Sequence, residues 1–62
     1  MTRRDYQTIA GALREAAEMM RPMTEAERIA VQSVAETLAN HLEDESAAFK
    51  RDLFLRAAGV QS

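Results

Sequence analysis

His41 and Glu45 stand four residues apart in a stretch with helical periodicity, so an imidazole and a carboxylate would share one helix face, with Glu43 and Asp44 beside them. That spacing can serve a divalent metal. A closed zinc site needs four ligands, however. With one histidine and no cysteine in the chain, most of them would have to be surface acids. The cluster therefore reads as solvated charge, and no metal is expected. Asp5-Tyr6 is the other pair with acid–base potential, but a lone tyrosine at a packing position more often serves as a core aromatic with its hydroxyl at the edge. There is no glycine-rich phosphate loop, paired-carboxylate signature or Ser-His-Asp set, and 62 residues leave little room for a cleft. Absence of cysteine removes thiol nucleophiles, disulfides and thiolate metal sites. The expectation is a non-enzymatic protein with no catalytic residues and no cofactor.

Nucleic-acid binding is the next chemistry to weigh. Lys50, Arg51 and Arg56 could be drawn as the basic side chains of a helix-turn-helix. Leu53, Phe54 and Leu55 occupy the positions where a recognition helix shows polar groups to base edges. Charge argues the same way. The net charge is −2, and four arginines against three acids give +1 over residues 1–22. One arginine against six acids gives −5 over residues 23–45, and three bases against one acid give +2 over residues 46–62. An acidic middle would face a phosphate backbone unfavourably, so a small DNA-binding transcriptional regulator is the alternative rather than the expectation.

These side chains must be held by helices. Composition is 47% hydrophobic and 29% charged, as in a folded domain, and strong helix formers dominate. Thr2 and Asp5 mark a helix start, and Tyr6, Ile9, Leu13, Ala16 and Met20 recur at intervals of three and four, with Ala10 and Ala17 widening the seam. Arg residues beside this seam do not make a membrane-surface helix, because the polar face is mixed in sign. Gly11 lies on the opposite face, and Pro22 ends the helix. Thr24-Glu25-Ala26-Glu27 fits a capping box, and Val31, Val34, Ala35, Leu38 and Leu42 share one arc of the helix that follows. The short connection predicts a hairpin. Phe49, Leu53, Phe54, Ala57 and Ala58 form a third, shorter repeat, closed by a left-handed Gly59 with Val60 folding back. The expected fold is all-α, a single domain over residues 1–62, with helices at about 3–20, 25–43 and 48–58.

The two ends of the chain carry a resemblance. Met1-Thr2-Arg3-Arg4-Asp5-Tyr6, continuing to Ile9-Ala10 and Leu13, resembles the opening of a group of small uncharacterised helical proteins encoded by bacteriophages and prophages. Phe49, then Lys50-Arg51-Asp52, Phe54-Leu55 and Ala57-Ala58-Gly59, is similar to their close. Glu45-Ser46 stands where that group has Asn-Pro, and Ala58 where cysteine is common. The resemblance implies a phage accessory protein made in a bacterial cytoplasm, and it carries no activity and no catalytic residues.

A chain this short buries only about 60% of its unfolded surface, so it draws stability from association when disulfides and metals are missing. A homodimer is therefore expected. Phe49 and Phe54 should cover the open side of the hairpin. With Ala26, Ile29 and Ala30, where Ile29 is the bulky residue on the outer face of helix 2, they make the candidate protein-contact surface. Met19, Met20 and Met23 cluster at the hairpin turn, to fill an irregular core end or to offer an adaptable surface. Glu43, Asp44 and Glu45 sit where the helix dipole disfavours acids, and Arg3 and Arg4 should offset them across the hairpin end. No apolar run is long enough to span a membrane and no apolar signal region opens the chain, so a cytoplasmic protein is expected. The function this favours is a protein–protein interaction module binding itself and a host or phage protein, with a purely self-assembling structural subunit as a further alternative.

Overall fold

A computed structural model describes residues 2–60. Three helices account for the architecture, α1 (Arg3–Met19), α2 (Glu25–Glu45) and α3 (Arg51–Ala57), with no strand among the described residues. None of them is long and apolar enough to cross a membrane.

Both long helices start in the same way. The Thr2 hydroxyl accepts from the Asp5 N–H at 3.2 Å while the Thr2 N–H donates to the Asp5 carboxylate at 3.0 Å, and Thr24 and Glu27 repeat the exchange at 3.1 and 2.9 Å. Each box satisfies two amides that the first turn leaves without partners. α1 stops before Pro22, with the Met20 and Arg21 amides closing on Ala17 and Glu18. α2 runs two residues beyond the expected end, to Glu45, and breaks where Ser46 turns extended.

The largest difference from expectation is the start of α3. It begins at Arg51 rather than near 48, because residues 47–48 form a turn and Lys50 is extended (φ −102°, ψ 92°) with no side-chain cap. That path lets Phe49 enter the core instead of riding on a helix. At its other end α3 closes with a Schellman motif. Val60 N–H bonds to Leu55 C=O at 3.2 Å and Gly59 N–H to Arg56 C=O at 3.0 Å, with Gly59 at φ +79°.

Tyr6 near the start of α1 touches Phe49 just past α2, which sets those two ends together in a hairpin-like arrangement. Most of the close backbone approaches between helices join α3 to α1 and α3 to α2, so α3 acts as the wedge between them. The core is Ala10, Ala35, Ala39, Leu42, Phe49, Phe54, Leu55 and Ala58, with Tyr6, Ile9, Leu13, Leu38 and Val60 packed around it. The seams are therefore rotated from those expected. On α1 the buried centre is Ala10, while Ala16 and Met20 are exposed; on α2 it is Ala35 and Ala39, while Val34 is 58% exposed. The reason is steric: small side chains let the wedge approach, and bulkier ones turn to the flanks.

The Thr2 backbone N–H foremost, and then its hydroxyl, hold the Asp5 carboxyl below its ordinary value of 3.8, and Thr24 does the same to Glu27 below 4.5. A depressed folded-state value contributes stability that is present above the ordinary value and lost as pH falls through the lowered one. Helicity should therefore melt more easily as pH drops below about 4, and Asp5→Asn with Glu27→Gln should flatten that acid limb in thermal melts at stepped pH. The two glycines should answer oppositely to alanine. A Cβ at Gly11 meets nothing within 4 Å, so Gly11→Ala should raise stability by about 0.5–1 kcal/mol. At Gly59 there is room beside Arg14, but the positive φ makes Gly59→Ala cost about 1 kcal/mol or more, a shift of about 4–8 °C in Tm per kcal/mol.

Candidate functional site

Among the described residues, two concavities and an open helix face stand out beside the closed core. The first concavity, 560 Å³, lies where the start of α1, the 46–50 connection and α3 meet. Its floor is aromatic. Phe49 meets Tyr6 edge-on with centroids 4.9 Å apart and Phe54 in a tilted pair at 5.4 Å. Arg3 and Lys50 also line it, and Leu53 stands 56% exposed beside them.

The five residues expected to offer a protein contact are divided by the fold. Phe49 and Phe54 are 7% and 4% exposed, consumed in the core and reaching the surface only as that floor. Ala26, Ile29 and Ala30 are exposed on the outer side of α2, Ile29 at 56%, and α3 does not cover them. Val34, which the helical arc alone assigned to the core, joins this open face instead. At the hairpin turn Met23 is half-buried while Met19 is 81% exposed, so the methionines split between filling and surface.

No contact ion pair joins Arg3 or Arg4 to Glu43, Asp44 or Glu45 among the described residues. All five side chains are exposed, and holding two long chains in one geometry there gains little. Any offset across that end is through solvent. His41 is exposed, and no group of three or more His, Asp or Glu side chains among the described residues is gathered for a metal ion. Arg51, read in sequence as a base for DNA, donates to the Asn40 side chain and ties the start of α3 to α2.

The second concavity, 400 Å³, is bounded by α1, the turn after it, α2 and the end of α3. Arg14, Arg21, Arg28 and Arg56 all line it, with Glu18 as the acid among them. Arg14 pairs with Glu18 at 3.5 Å; no carboxylate among the described residues lies within ion-pair distance of Arg21, Arg28 or Arg56. Sequence reasoning did not find this cleft. The seven-residue spacing of Arg14, Arg21 and Arg28 was a signal, but Pro22 interrupts the helix, so periodicity alone could not place them on one face.

Compared with known proteins, the chain matches no family model, no curated protein and no solved structure.

Because Phe49 bridges Tyr6 and Phe54, its truncation should remove both aromatic contacts and leave a cavity. Phe49→Ala should cost about 3–5 kcal/mol, most of the stability of a chain this size, and abolish a cooperative transition in urea at 25 °C. Leu53→Ala, on the exposed side of α3, should change it by about 0.5 kcal/mol or less.

Proposed function

We propose that this protein is a non-enzymatic protein-interaction module that works as a homodimer, with the outer face of α2 packed against α2 of a second copy. The observation that carries this reading is the chemistry of that face. From Ala26 to His41, the side chains in an outward arc of about 140° are Ala26, Ile29, Ala30, Ser33, Val34, Thr37, Asn40 and His41, all exposed, with Asn40 near one end engaged by Arg51. None is a carboxylate, lysine or arginine, in a chain that is 29% charged. Small residues at three- and four-residue intervals let two helices approach closely, and Ile29 and Val34 would flank the seam. A two-fold axis across α2 makes the contact self-complementary, as an isologous dimer needs. One helix pair of this length, about 22 Å, is a small interface, so the dimer should be of micromolar strength.

The resemblance of both chain ends to phage-encoded proteins supports an accessory role in a bacterial cytoplasm, with a host or phage protein as the second partner. DNA binding has less support, since α3 is seven residues long and buries Phe54 and Leu55, while Arg51 is engaged by Asn40. A structural subunit would use the same face.

Light scattering through a dilution series is the direct test. A mass of two chains that falls to one in the micromolar range is expected, and Ile29→Lys with Val34→Lys should leave the chain monomeric while changing its melting by no more than about 0.5 kcal/mol per site. An unchanged mass in that variant, or a monomer throughout, removes the reading.

A further inference from the structure

We infer that the arginine cleft between α1, α2 and the end of α3 binds a short acidic peptide segment of a partner protein, with carboxylates held by guanidinium groups over an apolar wall. Half of the eight basic residues in the chain line this one concavity, and they come from four separate places: Arg14 in α1, Arg21 in the turn, Arg28 in α2 and Arg56 in α3. All four are exposed, so water screens their mutual repulsion, yet an anion seated among them would be attracted by several guanidinium groups at once. Among the described residues that line the cleft only Glu18 carries a carboxylate, and it is engaged by Arg14, so none of them sets a carboxylate within ion-pair distance of the other three guanidinium groups. The rest of the molecule is correspondingly more acidic than its net −2.

A guanidinium is planar, stays charged at any working pH and presents paired N–H donors that match both oxygens of a carboxylate. Three of them suit two or three acidic side chains on a short segment. Between the arginines, Met23, Val31 and Val60 are half-buried apolar walls, which a peptide alternating acids with aliphatic residues can cover and a bare polyanion cannot. A nucleic-acid strand would also have to continue past a 400 Å³ cleft onto a helix bearing Glu25, Glu27 and Glu36, where it is repelled. The peptide is therefore the occupant. This inference rests on the interaction-module reading but not on the dimer, since the cleft shares no residue with the outer face of α2.

The test is fluorescence anisotropy with a labelled peptide alternating glutamate and leucine, its glutamine counterpart, and a single-stranded oligonucleotide of equal charge. Saturable binding of the glutamate peptide at low salt is expected, weakened at least about tenfold in Arg21→Glu with Arg28→Glu and strongly at about 1 M salt. Arg4→Glu with Lys50→Glu makes the same change in net charge outside the cleft and should shift affinity by no more than about twofold. Circular dichroism checks each fold, and Arg21→Gln with Arg28→Gln replaces the reversal variant if that one does not fold. Equal weakening by the two pairs, equal binding of the glutamine peptide, no binding of the glutamate peptide, or binding of the oligonucleotide alone would overturn the inference. A dimer that ignores the peptide removes the cleft and leaves the α2 face standing; a monomer that binds it does the reverse.

Discussion

Four of the eight buried residues are alanines, which let backbones approach but remove little apolar surface from water, so cohesion falls to Leu42, Phe49, Phe54 and Leu55. Phe49 is the one on which the others depend. It sits in neither α2 nor α3, yet it touches Tyr6 from α1 and Phe54 from α3 and so joins the two ends of the chain. The break of α2 at the extended Ser46, the late start of α3 and the uncapped Lys50 all accompany the inward turn of that ring. The aromatic burial offsets the helical turn forgone in the connection.

This arrangement also decides what is left outside. α3 has only seven residues, enough to cover one side of each long helix, and α2 is three times that length. Its outer face therefore stays open, and the protein extends 34 Å along one axis against 17 and 16 Å across. Since α3 serves as the wedge, α1 and α2 need not close upon one another along their length, and the space at the turn end becomes the arginine cleft rather than core.

Charge and apolar surface are consequently sorted by region. The uncharged outer side of α2 suits a second helix, and the arginine cleft suits an anion; the two lie on different residues and can be occupied together. In the proposed reading both are contact surfaces, and among the described residues neither brings an acid, a base and a nucleophile within reach of one reacting atom.

The helix caps at Thr2, Thr24 and Gly59 were legible in the sequence because they are local. Thr2 with Asp5, Thr24 with Glu27 and Gly59 with Val60 each act within one turn, so residue type and spacing determine them and the structure reproduces all three. The outward placement of Ile29 and Gly11 follows equally from helical periodicity. What periodicity could not decide is which part of a wide apolar arc meets a partner helix. Val34 and Ala35 are neighbours in the same stripe, and only the approach of α3, which requires alanine at the contact, turned Val34 to the solvent. The departure of Phe49 from its helix, the coupling of Asn40 to Arg51 and the convergence of four arginines are likewise tertiary, because each joins residues from different elements whose relative position is set by packing and not by spacing along the chain.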